Sequence, residues 1–203
     1  IPSALTYSGG KVYTTSASAL NGSEARGEQL LSQVRTILAI SGAQKVNLLG
    51  HSHGGFSVRY VATAIPSKVA SLTLIHSPAK GSPVADLVNG IVPAGTAQSF
   101  LGSVSDAVMG IIGFLAGNNR PEDSLAALAS LTTSGAAAFN AAHPNGVPTT
   151  ACGEGAYTAN GIKNYSWNGT SSFTNTLDPI DYFFGITGLA GSEPNDGLVG
   201  KCS

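Results

Sequence analysis

One stretch decides the fold: Val46-Asn47-Leu48-Leu49-Gly50-His51-Ser52-His53-Gly54-Gly55. Its first four residues form a short run bounded by turns, which is typical of a strand buried in a parallel sheet. The next five residues read G-x-S-x-G, and an apolar periodicity after them predicts a helix. A serine between a buried strand and a helix is held on a sharp turn that exposes its hydroxyl, so Ser52 is a candidate nucleophile.

The turn around Ser52 also suits the chemistry of acyl transfer. Gly50 and Gly54 allow close backbone approach, and the first N–H groups of the following helix can stabilise a developing negative charge. The alternative is a glycine-rich phosphate-binding turn, but the spacings G-x-G-x-x-G and Gly-Lys-Ser/Thr are both missing. The pentapeptide alone is a weak signal, and its position between strand and helix is what favours a nucleophile.

Predicted strands and helices alternate on both sides of this stretch. Lys11–Thr15 and Val69–Ile75 have the composition of strands, and residues 23–40 have a helical apolar periodicity. Residues 11–76 therefore predict strand, helix, strand, helix, strand. This order indicates the α/β class, with a central, mostly parallel sheet covered by helices on both faces.

The second half of the chain is less regular. Apolar residues recur at helical spacing from Phe100 to Leu115, a second helix is predicted at 122–131, and a strand is predicted around 162–167. We find no repeat and no low-complexity linker, so we expect a single domain over 1–203.

Composition excludes several classes of function. The chain has 203 residues, 42% of them hydrophobic and only 10% charged, and its formal net charge is −1. Without a basic patch, binding to nucleic acid is not expected. No run of about 20 apolar residues is present, so the sequence predicts no transmembrane span.

Further motifs along nearly the whole chain resemble one family. They are Arg26-Gly27-Glu28-Gln29-Leu30-Leu31, Arg59-Tyr60-Val61-Ala62, Ser77-Pro78-Ala79-Lys80-Gly81-Ser82, Ala151-Cys152-Gly153-Glu154-Gly155, Tyr165-Ser166-Trp167-Asn168-Gly169, Leu177-Asp178-Pro179 and Asn195-Asp196-Gly197-Leu198-Val199-Gly200. Together with the stretch around Ser52, they resemble the true bacterial lipases of the Pseudomonas and Burkholderia type. The resemblance implies the α/β-hydrolase fold and a helical lid.

The resemblance implies a role for each matching residue. Ser52 would be the nucleophile, His53 would supply one backbone N–H of the oxyanion hole, and Asp196 would be the acid that orients the catalytic histidine. Asp178 would be a ligand of a structural Ca²⁺ ion. From the residues alone, Asp196 could be only a turn residue, and Asp178 before Pro179 could be an ordinary helix N-cap.

The two cysteines leave two readings open on composition alone, which are a disulfide or two free thiols. The resemblance implies a disulfide between Cys152 and Cys202, and a disulfide implies an exported protein. The resemblance also implies a lid at about 95–120, and the alternative for this amphipathic segment is a core-facing helix. A secreted triacylglycerol lipase acting at an oil–water interface is expected, with a lipase-specific foldase chaperone as partner in the periplasm.

A catalytic histidine is missing from the expected place. The four histidines are His51, His53, His76 and His143, and none follows Asp196. The resemblance places the base shortly after Ser203 and a first core strand before Ile1, so we expect an internal fragment of a longer lipase. Such a fragment should fold poorly, because removing a central strand opens a sheet edge. A serine without its base should give no useful turnover.

Two other functions fit parts of the sequence. A short-chain carboxylesterase of the same fold would use the same serine, and a preference for soluble over emulsified esters would reveal it. A catalytically dead binding or scaffold domain would explain the missing histidine directly. A histidine encoded shortly after Ser203 would favour the enzyme.

Overall fold

Two neighbouring parallel strands form the centre of the sheet. In this computed structural model, which describes residues 2–90 and 123–203, β1 (Val46–His51) pairs in parallel with β2 (Val69–Ile75). On its other side β2 pairs in parallel with β4 (Ile162–Trp167), and the short β3 (Thr158–Ala159) pairs with β4 in antiparallel orientation. The order is β1-β2-β4-β3, so the predicted mostly parallel sheet is confirmed.

The described helices lie before, between and after these strands. They are α1 (Pro2–Tyr7), α2 (Ser23–Ser41), α3 (Gly54–Ala64), α4 (Pro83–Val88), α5 (Ser124–Leu131), α6 (Thr133–Ala142) and α7 (Pro179–Gly188), with a 3₁₀ turn at Pro66–Lys68. The helices predicted at 23–40 and 122–131 correspond to α2 and α5. The lid predicted at about 95–120 lies outside the described residues.

A single apolar cluster joins α2 and α3 to the sheet. Leu30, Leu31 and Val34 lie at helical spacing, which places them on the buried face of α2. The two helices approach closely at Gly27, where an added Cβ would lie 2.6 Å from the Cβ of Tyr60. The cluster consists of Leu30, Leu31, Val34, Leu48, Val58, Val61, Ala62, Val69, Leu72, Leu74, Ala79 and Ile162.

A buried arginine ties α3 to the chain after α6. The Arg59 side chain is fully buried, and its Nε donates to the Asn145 carbonyl at 2.8 Å. One terminal nitrogen donates to Asn140 Oδ1 at 2.7 Å and to the His143 carbonyl at 2.5 Å. Burial lowers the pKa of Arg59 to about 10, because removal from water disfavours the charged form.

The strand predicted at Lys11–Thr15 is not present. These residues have no regular secondary structure and are mostly exposed. Just beyond them, the Ser16 and Ser18 backbone N–H groups donate to side chains of α2, Gln33 and Gln29, at 3.1 and 2.7 Å. Residues with a high β propensity form a strand only where a partner strand is available. Here the neighbouring residues Ser16 and Ser18 bond to a helix instead.

Within residues 2–90 and 123–203, each helix taken alone is too short or too polar to span a bilayer. The pair α5 and α6 would together have the length and composition for it, but the two helices are bent by 81° where they meet.

Candidate active site

The serine turn, residues 50–55, links β1 to α3. Ser52 has a positive φ of 51°, which a non-glycine residue adopts only under local constraint. Its backbone N–H donates to the Ile75 carbonyl at 3.0 Å, and its own carbonyl accepts from the Gly55 N–H at 3.0 Å. The hydroxyl therefore stands on a strand-to-helix turn, outside any regular helix and half-exposed.

Two glycines make this turn possible. A Cβ added at Gly50 would lie 2.6 Å from the Gly54 carbonyl carbon and 2.8 Å from the Gly55 nitrogen. A Cβ added at Gly55 would lie 2.6 Å from the Cβ of Ser77 at the end of the neighbouring strand. Real Cβ atoms do not approach other atoms this closely, so the turn can be built only with glycine at these positions.

His53 follows the nucleophile candidate and points into the protein. Its ring is buried, with Nε2 at 2.9 Å from Ser23 Oγ of α2 and the ring edge-on to Phe56 at 5.6 Å. Burial first, and the positive charge of Arg26 second, lower its pKa to about 3. The side chain is therefore neutral and packs inside the protein. The backbone N–H of His53 makes no hydrogen bond to the described residues.

Residues following three parallel strands converge at one edge of the sheet. Ser52 follows β1, His76 follows β2, and the N–H of His76 donates to the carbonyl of Trp167, the last residue of β4, at 2.7 Å. The His76 Nδ1 lies 2.8 Å from Asp196 Oδ2. Ser52 and Asp196 are thus brought to the same edge, where α/β proteins place their functional loops.

The acid loop, residues 189–203, fixes the Asp196 carboxylate by local hydrogen bonds. Asp196 Oδ1 accepts the backbone N–H groups of Leu198 at 3.0 Å and Val199 at 2.8 Å. The remaining oxygen, Oδ2, faces His76. The Asn195-Asp196-Gly197 sequence does form a turn, and the same turn presents one carboxylate oxygen to the sheet edge.

Sequence reasoning missed His76. No sequence pattern assigns His76 a role, whereas the structure brings its imidazole into contact with Asp196. One signal was available, because His76 directly follows the predicted strand Val69–Ile75, which is the next strand along the chain after the serine turn. Residues that follow neighbouring parallel strands share one edge of the sheet.

The acid loop is also held covalently. A disulfide joins Cys152 to Cys202, as the resemblance implied. The Cys202 N–H donates to Glu193 Oε2 at 3.2 Å, and Ser203 Oγ donates to the Gly81 carbonyl at 2.8 Å. The disulfide attaches the end of the acid loop to Cys152, and the Ser203 hydrogen bond attaches it to the segment that follows β2.

The described residues do not form a calcium cage around Asp178. The residue is half-buried and directly precedes α7. Asp181 lies in the first turn of that helix, and its Oδ2 accepts the N–H groups of Thr174 and Asn175 at 2.6 and 2.5 Å, which lowers its pKa. Among residues 2–90 and 123–203, one group of three metal-binding side chains is found, Cys152, Glu193 and Cys202. Its two sulfurs are joined to each other, so no thiolate is available to a metal.

The arrangement defines a class of site. A serine on a strand-to-helix turn, a backbone N–H beside it that has no partner among the described residues, and a carboxylate at the same sheet edge are three of the parts used for acyl transfer in α/β hydrolases. Within the described chain, Ser52 Oγ makes no hydrogen bond, so no imidazole here is placed to remove its proton directly.

Comparison with known proteins agrees with this class. A model of the α/β-hydrolase fold family matches residues 6–192. The chain is 52% identical over its whole length to a triacylglycerol lipase of Vibrio cholerae, of which it covers 66%. It is 36% identical over its whole length to triacylglycerol lipases of Pseudomonas fragi and Burkholderia plantarii, covering 73% and 66% of them. A crystal structure of a mature Bacillus licheniformis lipase superposes with a TM-score of 0.58 at 21% identity, over 90% of this chain and 62% of that one.

The chain therefore belongs to the α/β-hydrolase fold family, among the bacterial triacylglycerol lipases. The Bacillus structure supports the fold alone, because its sequence identity is low. The chain spans about two thirds of the length of the Vibrio cholerae lipase.

Proposed function

We propose that this chain is the nucleophile-bearing part of a secreted triacylglycerol lipase that hydrolyses carboxylic esters of long-chain acylglycerols. The observation that carries the proposal is the serine turn, where Ser52 stands at φ 51° between β1 and α3. The turn packs so closely around Gly50 that no residue with a side chain fits there. Strain at an exposed hydroxyl is typical of a catalytic nucleophile.

Each step of the reaction has a residue proposed for it. Ser52 Oγ attacks the ester carbonyl carbon while its proton passes to a base, and the carbonyl oxygen becomes an oxyanion. The backbone N–H of His53 is one donor to that oxyanion, which is consistent with its lack of another partner in the described chain. The alcohol then leaves with a proton, and water attacks the acyl-enzyme to release the fatty acid and restore Ser52.

The proposed base is a histidine beyond Ser203, oriented by Asp196. Support comes from Asp196 itself, which two backbone N–H groups hold with Oδ2 turned to the sheet edge. The 203-residue chain alone is then expected to show no useful turnover, since its Ser52 Oγ has no hydrogen-bonded imidazole in the described part.

The finer properties of the lipase rest on family membership and on single features of the chain. Export through the periplasm, with a dedicated foldase as partner, is consistent with the Cys152–Cys202 disulfide. A lid at about 95–120 would cover the site in water and turn its apolar face to an oil surface. A structural Ca²⁺ ion would take Asp178 as one hard oxygen ligand, with its other ligands outside the described residues.

The test uses the complete protein encoded by the gene that contains this chain. Ser52→Ala should lower kcat on emulsified long-chain triacylglycerols by about 10⁴-fold or more, because the nucleophile is lost. Ser32→Ala, which changes an exposed serine of α2, should keep wild-type activity and serves as the matched control.

Two results would contradict the proposal. Hydrolysis that survives Ser52→Ala would show that another group is the nucleophile. A wild-type protein that prefers soluble short-chain esters, with no increase in rate when an emulsion forms, would be an esterase and not a lipase.

A further inference from the structure

His76 is in contact with the one oxygen of Asp196 that the acid loop leaves available. Asp196 Oδ1 is taken by the N–H groups of Leu198 and Val199. Oδ2 lies 2.8 Å from His76 Nδ1, and no other described residue donates to it. A carboxylate only accepts hydrogen bonds, so Nδ1 carries the proton and the imidazole is its donor.

The backbone holds this imidazole in an unusual conformation. His76 has φ 45°, a left-handed value that is uncommon for a non-glycine residue and is concentrated at functional sites. Its N–H donates to the Trp167 carbonyl at 2.7 Å, which fixes the residue against β4. The direction of the side chain is therefore set by the end of the sheet.

A glycine is packed against the pair on its other side. A Cβ added at Gly169 would lie 3.0 Å from His76 Cε1 and 3.1 Å from Asp196 Cβ. The loop after β4 thus packs directly against both the imidazole and the carboxylate. The contact between His76 and Asp196 is built from three separate loops.

The same imidazole does not serve Ser52. Ser52 and His76 follow adjacent strands, and the Ser52 N–H donates to the carbonyl of Ile75, yet no hydrogen bond joins Ser52 Oγ to any described residue. A base must come within hydrogen-bond distance of the proton it removes. This geometry favours a role for His76 toward the acid and not toward the nucleophile.

We propose that His76 is a positioning residue that donates its Nδ1–H to Asp196 Oδ2 and so fixes the carboxylate for the catalytic histidine. A carboxylate oxygen has two lone pairs, so Oδ2 can accept His76 and the catalytic imidazole together. The proposal rests on the proposed function, because it assigns Asp196 the role of the triad acid. In this proposal, the residue that follows β2 supplies one hydrogen-bond donor to the triad acid.

The test compares two variants of the complete protein, of which only one keeps a side-chain donor. Glycine and asparagine both tolerate a positive φ, but only asparagine offers a side-chain N–H near the position of Nδ1. His76→Gly should lower kcat on an emulsified triacylglycerol about 10- to 100-fold with KM changed less than twofold, because a hydrogen bond to a charged group is lost. His76→Asn should recover most of that loss, while both variants unfold within a few degrees of wild type.

Three outcomes would overturn the proposal. Equal kcat values for His76→Gly, His76→Asn and wild type would show that the contact does not matter for the reaction. Equal losses in both variants would show that the ring is needed for packing and not as a donor. A loss in His76→Gly as large as that in Ser52→Ala would make His76 the base itself.

The proposed function is judged separately. If Ser52→Ala keeps its activity, the lipase mechanism fails whatever the His76 variants do. If Ser52→Ala is inactive and His76→Gly matches wild type, the mechanism stands and only the role of His76 is wrong.

Discussion

The serine turn and the acid loop reach the same edge of the sheet but are stabilised in different ways. The serine turn lies between β1 and α3, next to the fully buried Phe56 and Val61, and its Gly50 packs directly against backbone atoms. The acid loop has little regular structure. Hydrogen bonds hold it to the segment after β2, and a disulfide holds it to Cys152. Close packing fixes the serine turn, which we call the packed side of the site. Separate hydrogen bonds and a disulfide fix the acid loop, which we call the bonded side.

This difference predicts how well each side tolerates amino-acid substitutions. Closely packed backbone atoms cannot move aside, so the strain from an extra carbon atom there spreads into the surrounding core. A loop held by separate bonds can lose one of them and relax locally, because its neighbours are side chains and solvent. We therefore expect substitutions of similar size to have larger effects at the serine turn than at the acid loop.

The largest expected effect is that of Gly50→Ala. The new Cβ would lie 2.6 Å from the Gly54 carbonyl carbon, so the turn between β1 and α3 has to open. We expect a loss of about 4 kcal/mol or more in the free energy of unfolding, together with loss of activity. Urea denaturation followed by circular dichroism measures the first effect.

Gly169→Ala makes the same chemical change on the other side of the site. Its Cβ would contact side-chain atoms of His76 and Asp196 at 3.0 and 3.1 Å, and both side chains can shift by a few tenths of an ångström. We expect a cost of only about 1 kcal/mol. Equal costs for the two variants would refute the contrast between a packed side and a bonded side.

The second effect is that of removing the disulfide. A double variant, Cys152→Ser with Cys202→Ser, opens a loop closed over 50 residues, which in the chain-entropy model costs about 4 kcal/mol. A shift of the urea midpoint, with a reductant acting on the wild type but not on the double variant, measures this contribution. An unchanged midpoint would mean that the hydrogen bonds of the acid loop suffice without the covalent link.

The next effect in size is a dependence of stability on pH at the serine turn. Burial lowers the pKa of His53 to about 3, whereas the unfolded chain has a value near 6.5. The folded state thus disfavours the proton, so this stability is complete above about pH 6.5 and is lost as the pH falls toward 3. Between pH 6.5 and 4.5 we expect a loss of about 2 kcal/mol.

Two variants isolate this contribution. His53→Gln removes the titrating ring and should lose clearly less stability than wild type over the same pH interval in urea titrations. His51→Gln removes an exposed histidine of the same motif and should keep the wild-type slope. A His53→Gln protein as acid-sensitive as wild type would assign the effect to other groups.

Local sequence patterns predicted the elements that surround the serine turn, and they failed where a contact depended on the tertiary structure. The periodicity of 23–40 and the apolar run at Val69–Ile75 were sufficient for α2 and β2. The pairing of His76 with Asp196 joins residues 120 positions apart, and no spacing rule predicts it. Lys11–Thr15 had the composition of a strand without a neighbouring strand to pair with.

The buried guanidinium of α3 also imposes an order on assembly. Arg59 bonds to Asn145 across 86 residues and to His143 across 84, and a buried charge without such acceptors is strongly unfavourable. During folding, α3 can therefore bury Arg59 only once residues 143–145 have reached it. Until then the apolar face of α3 stays exposed, so docking of this distant segment is a late requirement for the helix that follows Ser52.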